Sequence, residues 1–257
     1  MAIYTLTGSA ADSFVGADAE ADVFVLAAPG RLVGTDTVRG GVGPLPDLIR
    51  ITATIALEAA AFANVRDIER LQIIAAAGAA VTLDDALVAS TDRPDLLVLG
   101  GVGGDTVLGG GVLVTPLVME GDAGSDWLQG GGGGDLLRPG GGADTMQGGD
   151  GADTIETLAA TGATIAVAFR GEAGQDRLIG SAFADTLLGG AGNDALFGNA
   201  GADVLDGGDG QDRLSGGAGN DLLLGGAGND TLLGGAGNDT IEFGAGVDRA
   251  DGGAGND

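Results

Sequence analysis

The sequence predicts an all-β protein, a parallel β-solenoid of nine-residue repeats preceded by a less regular β-rich cap, and three observations lead there. The pattern Gly-Gly-x-Gly-x-Asp-x-apolar-x keeps its phase from residue 171 to residue 257, with clear copies at 216–224, 225–233 and 234–242, and it recurs at 121–156 and 100–108. An aspartate holds the sixth place: Asp105, Asp126, Asp135, Asp144, Asp153, Asp176, Asp185, Asp194, Asp203, Asp212, Asp221, Asp230, Asp239, Asp248 and Asp257. Leucine or isoleucine holds the eighth, at Leu178, Leu187, Leu196, Leu205, Leu214, Leu223, Leu232 and Ile241.

Each part of the cassette has a physical reading. Glycine at places one, two and four permits positive φ and close backbone approach, so the Gly-Gly-x-Gly segment is expected to form a tight turn. The three residues after the aspartate, such as Thr231-Leu232-Leu233, give a short strand with one side chain pointing inward. Turn, strand, turn, strand closes one coil, and coils stack at about 4.8 Å. That places Asp194, Asp212 and Asp230 on one edge and Asp203, Asp221 and Asp239 on the other. Two carboxylates about 5 Å apart repel by about 3 kcal/mol at an effective dielectric near 20, and the cost recurs at every step. A cation has to lie between them. The chain has neither lysine nor histidine, and its 11 basic residues are arginines placed mostly outside the turns. Calcium fits the available oxygens, because it accepts about six to eight carboxylate and carbonyl ligands at flexible geometry, whereas magnesium wants a strict octahedron.

The cassette resembles the calcium-binding nonapeptide of the RTX (repeats-in-toxin) family. The resemblance implies a calcium β-roll in which the repeat aspartate and carbonyls of the glycine turn, from neighbouring coils, share each ion, about one ion per repeat. Carried onto this chain, the implied ligands are Asp126, Asp135, Asp144, Asp153, Asp176, Asp194, Asp203, Asp212, Asp221, Asp230, Asp239 and Asp248. With them come the turn glycines Gly190, Gly192, Gly208, Gly210, Gly217, Gly219, Gly226, Gly228, Gly235 and Gly237. Asp185 is left out, because Gly180-Ser181-Ala182-Phe183-Ala184-Asp185 has phenylalanine where the fourth-place glycine belongs. Asp105, Asp126 and Asp153 border interruptions of the phase, and no strand follows Asp257.

Two regions are expected along the chain: an alanine-rich, β-solenoid-like or sandwich-like cap over residues 1–99, and the repeat roll over 100–257. Insertions without calcium turns interrupt the roll at 109–120, around Val112-Leu113-Val114, and at 157–170, around Ile165-Ala166-Val167-Ala168-Phe169; both read as strands. In the cap, Ala11-Asp12-Ser13-Phe14-Val15, Ala21-Asp22-Val23-Phe24-Val25 and Gly34-Thr35-Asp36-Thr37-Val38 echo the repeat, and short strands are expected near residues 49–55, 71–74, 81–83 and 96–99. Residues 57–65 read as a short helix, and Asp84-Asp85 as its kind of helix cap rather than a catalytic pair. The stretch from Asn64 to Ile73 resembles segments of bacterial surface and surface-layer proteins with the same repeats.

Composition removes several function classes. Disordered low-complexity tracts lack the 44% hydrophobic content seen here, and six prolines with a period of nine do not make collagen. No lysine follows the Gly-x-Gly runs, so they are not phosphate loops. A net charge of −26 argues against nucleic acid. Without His, Cys or Lys, catalysis has few groups to use, and the chain reads as a non-enzyme. No apolar run is long enough to cross a membrane, and the start at Met1 lacks the basic and apolar segments of a signal peptide. The chain stops partway through a cassette and reads as part of something longer.

The expected function is that of a secreted, extracellular or cell-surface calcium-binding protein with a structural or adhesive role, folding where calcium is plentiful and able to self-associate or join a surface assembly. The alternative is the non-catalytic C-terminal folding and secretion module of a type I-secreted hydrolase or cytolysin. Residues beyond 257 would separate the two.

Overall fold

In the computed structural model the described residues are the strands between residues 3 and 84, then 96–112, 115–157 and 166–257. The chain forms two compact units, Met1–Gly133 and Gly134–Asp257.

The first unit carries β1 (Ile3–Leu6), β2 (Ser13–Val15), β3 (Val23–Leu26), β4 (Thr37–Arg39), β5 (Leu48–Ile51), β6 (Ala56–Leu57), β7 (Val65–Arg66), β8 (Arg70–Ile73), β9 (Ala80–Asp84), β10 (Leu96–Gly101), β11 (Thr106–Gly111), β12 (Leu117–Asp122) and β13 (Trp127–Gln129). Strands pair with partners further along the chain and not with their sequence neighbours, in the orders β1-β3-β5-β8-β10-β12, β6-β9-β11-β13 and β2-β4-β7. The described pairings are parallel, as in β3 with β5 and β9 with β11. The described strands of the cap are therefore parallel ladders. Asp84 closes strand β9 instead of capping a helix, because Val81 and Leu83 alternate inward as a strand does, at 1% and 0% exposure. Leu57 and Val65, the ends of the expected helix, are both in strands, and residues 58–64 lie outside the described residues.

The second unit carries β14 (Leu136–Arg138), β15 (Thr145–Asp150), β16 (Thr154–Glu156), β17 (Ala168–Ala173), β18 (Arg177–Ile179), β19 (Thr186–Ala191), β20 (Ala195–Ala200), β21 (Val204–Asp209), β22 (Arg213–Ala218), β23 (Leu222–Ala227), β24 (Thr231–Ala236), β25 (Thr240–Glu242) and β26 (Arg249–Ala254). The even strands form one parallel sheet and the odd strands the other. Leu196 pairs with Leu214 and Leu214 with Leu232 in the first sheet; Leu187 pairs with Leu205 and Leu205 with Leu223 in the second. All six are 0% exposed, so the core is two leucine columns meeting between the sheets, each side chain contributing about 1.5–3 kcal/mol by burial.

Strands β19 to β24 each run six residues, not the three expected, and continue through the first three places of the glycine-led cassette that comes next, as in Thr231-Leu232-Leu233-Gly234-Gly235-Ala236. The alternation of the pleat carries the first glycine inward beside the leucine, so that glycine belongs to the core and not to the turn. The interruption at 157–170 lengthens one coil: Asp153 bonds to Asp176 across 23 residues, where other rungs such as Asp176 to Asp194 span 18. Its expected strand is displaced, for Ala166 and Val167 lie outside β17, which starts at Ala168; residues 158–165 lie outside the described residues. At 109–120 the ends belong to β11 and β12, and Val112 is fully buried between them.

Candidate metal centre

The cassette aspartates from Asp105 to Asp239 are all buried, at 1% to 5% exposure. Asp248 is half-buried and Asp257 exposed. Each buried carboxylate turns back under the coil that precedes it. Oδ1 of Asp194 accepts the backbone N–H of Asp176 at 2.8 Å, Oδ1 of Asp212 that of Asp194 at 2.8 Å, and Oδ1 of Asp230 that of Asp212 at 2.9 Å. On the other edge Asp203 accepts from Asp185, Asp221 from Asp203 and Asp239 from Asp221. The two ladders expected from the repeat period are thus formed, and each rung is tied to its neighbour through the main chain.

The second oxygen has no such partner. Oδ2 of Asp153, Asp176, Asp194, Asp203, Asp212, Asp221, Asp230 and Asp239 is buried and receives no hydrogen bond. An orphaned buried carboxylate oxygen is expensive, and a column of them more so. Burial is the main cause that raises these acids above the ordinary 3.8, opposed by the N–H bond from the preceding coil: Asp176, Asp194, Asp203 and Asp212 rise to about 6, and Asp153 to about 8. Asp221 and Asp230 are raised for the same reason.

The glycines explain how the orphan oxygens fit. A β-carbon on Gly189 would come 2.5 Å from Oδ2 of Asp194 and 2.6 Å from the carbonyl oxygen of Gly207. The first glycine is therefore a space for the carboxylate, and two oxygens from consecutive coils converge beside it. The second and fourth glycines do the turning: φ is 116° at Gly190 and 141° at Gly192, and a β-carbon on Gly210 would overlap the carbonyl of Gly192 in the coil before. Gly208, Gly217, Gly219, Gly226, Gly228, Gly235 and Gly237 repeat this conformation. Among the described residues no group of three or more acidic side chains comes together at one point. A bound ion would draw on one or two carboxylates and complete its shell with main-chain carbonyls, a donor set of hard oxygens that suits calcium.

Within residues 171–257 two turns depart from this plan at the first or fourth place. At residues 180–185 the N–H of Ser181 donates to Oδ2 of Asp185, and the Ser181 hydroxyl lies 2.9 Å from both carboxylate oxygens. The amide of Asn199 donates to the Gly180 carbonyl at 2.9 Å, and the Thr157 hydroxyl donates to it as well. Protein donors here take the oxygens that elsewhere stand open. The second departure escaped the sequence reading. Phe243 holds the first place before Asp248, where no room exists for a side chain; β25 ends at Glu242 and the ring is 48% exposed. The non-glycine at that place was the available signal.

A parallel solenoid whose edges are ladders of buried aspartates with one oxygen left open, folded through glycine turns, is a β-roll of the metal-binding repeat class. The RTX calcium-binding nonapeptide repeat matches residues 120–155, 170–205, 206–241 and 224–257. Across these segments the chain carries RTX calcium-binding nonapeptide repeats. No curated protein sequence matches it.

Proposed function

We propose that this is a secreted RTX repeat protein with a structural or adhesive role at the cell surface, which folds when calcium fills its aspartate ladders outside the cell. The observation that carries the reading is the set of buried Oδ2 atoms without donors at Asp153, Asp176, Asp194, Asp203, Asp212, Asp221, Asp230 and Asp239. In this reading Asp126, Asp135, Asp144 and Asp248 extend the ladders beyond that set, and the turn glycines lend their carbonyls. Calcium supplies the positive charge that the ladders lack, so binding free energy becomes folding free energy. Extracellular modules of this affinity class bind at about 10⁻⁴ to 10⁻³ M, which leaves the chain unfolded before export and folded after it. The roll itself is the working part, without catalysis, and no helix among the described residues is long and apolar enough to cross a membrane.

The test is a calcium titration of the metal-free chain followed by far-ultraviolet circular dichroism, with magnesium as control. A cooperative coil-to-β transition specific to calcium is expected. A chain already folded in chelator, or equally responsive to magnesium, overturns the reading.

A further inference from the structure

We infer that the outer face of the even-strand sheet docks on the outer face of the odd-strand sheet of a second copy of this chain, an arginine column against an acidic column. This rests on the proposed structural role and specifies its contact.

The arginine column is set by register. Arg177 pairs with Ala195, Ala195 with Arg213, Arg213 with Thr231 and Thr231 with Arg249, so arginines stand on every second strand, about 9.6 Å apart. All three are exposed. In a chain of net charge −26 with only 11 basic residues, this is a local concentration of positive charge. Arg138 is paired with Glu156 at 3.0 Å, but among the described residues Arg177, Arg213 and Arg249 form no ion pair. The guanidinium of Arg177 lies over the Phe197 ring, 4.7 Å from its centre.

The odd-strand face carries the complement at the same period from β21 to β25, beyond the exposed Arg170 on β17, which pairs with Leu188. Leu188 pairs with Asp206, Asp206 with Leu224 and Leu224 with Glu242, so an acid stands on every second strand with leucine between. Two sheets stack face to face at about 10 Å, and two columns of equal period superpose with the strand order of the two copies running the same way. Arg213 and Arg249 then lie opposite Asp206 and Glu242, while Leu233 on β24 meets Leu222 and Leu224 on β23. Like-signed contacts, even face on even face or odd on odd, bring equal charges together and are disfavoured. The two surfaces belong to opposite faces of one unit, so the contact is head-to-tail and repeats without closing.

The experiment is sedimentation of the full chain in saturating calcium, comparing wild type with Arg213→Glu and Glu242→Arg, and with their equimolar mixture. Wild type is expected to associate with rising concentration, each variant to associate about tenfold more weakly, and the mixture to form a discrete dimer through its one matched pair of faces. Added salt is expected to weaken the association, since the charges are exposed. Circular dichroism in calcium shows whether the variants fold, and Arg213→Gln and Glu242→Gln replace any that do not. Association of wild type that neither variant alters overturns the docking and leaves the assembly role standing; it is also the outcome if the arginines serve another anionic polymer. A calcium-folded wild type that stays monomeric overturns both.

Discussion

The backbone N–H of Asp194 donates to Oδ1 of Asp212 at 2.8 Å, one coil further along, while Oδ2 of both residues stays buried without a donor. One oxygen of each carboxylate thus belongs to the fold, and the other stands open for the proposed ion. Asp212→Asn separates the two roles, because the amide oxygen can keep the bond from Asp194 while the charge is lost. Calcium binding measured by calorimetry is expected to weaken by about tenfold or more, and the metal-free chain to become easier to fold. Unchanged affinity would remove Asp212 from the ligand set.

The raised acids fix how the metal-free fold responds to pH. In the unfolded chain these groups titrate near the ordinary 3.8, and in the fold at about 6 for Asp176, Asp194, Asp203 and Asp212 and about 8 for Asp153. Between those values the folded state holds protons that the unfolded state has released, so stability falls as pH rises through the window. Acidifying the calcium-free chain from pH 8 to pH 4 is expected to increase its β signal in circular dichroism. Below about pH 6 protons compete with calcium and the calcium midpoint should rise. A β signal flat across this range would contradict the burial cost assigned to the ladders.

Asp185 and Asp203 occupy the same edge and should behave differently. Asp185→Ala strands the buried N–H of Ser181, which costs about 1–3 kcal/mol of stability, but it should leave the number of bound calcium ions unchanged. Asp203→Ala should reduce that number. Equilibrium dialysis with radioactive calcium counts the ions, and a loss caused by Asp185→Ala would show that its turn holds metal after all.

Glu172 adopts φ of 80° at a place usually held by glycine, a left-handed conformation that a glutamate reaches at a cost of about 1–2 kcal/mol. Glu172→Gly is therefore expected to raise the urea midpoint in saturating calcium. Asn199, at φ of 76°, should gain less from the same change, because asparagine tolerates this region and its amide bond to the Gly180 carbonyl would be lost. Equal effects at the two positions would mean that strain does not decide them.

Most of the roll was legible in the sequence because one period fixes both its turns and its core: the places of Leu205 and Asp212 follow from counting. What counting missed is local. The inward first glycine could not be told from the turning second and fourth, since all three are simply glycine until a neighbouring coil shows that the space near Gly189 belongs to the Asp194 carboxylate. Asp84 read as a helix cap because an acid pair after Thr82-Leu83 suits either state, and pairing of β9 with β11 decides for the strand. Phe243 hid inside an unbroken phase, its consequence visible only where β25 stops short.

The rung length of 18 residues, twice the cassette, gives the chain a parity. Inserting a single cassette would keep every turn and every buried leucine in place, yet move all later residues to the opposite sheet, so that Arg249 would join the face of Asp206. Inserting two would change nothing but length. Duplication by pairs therefore preserves the identity of each face, whereas an odd duplication yields a roll of equal stability with its surfaces scrambled. Folding alone cannot detect that error; only a partner that reads the faces can.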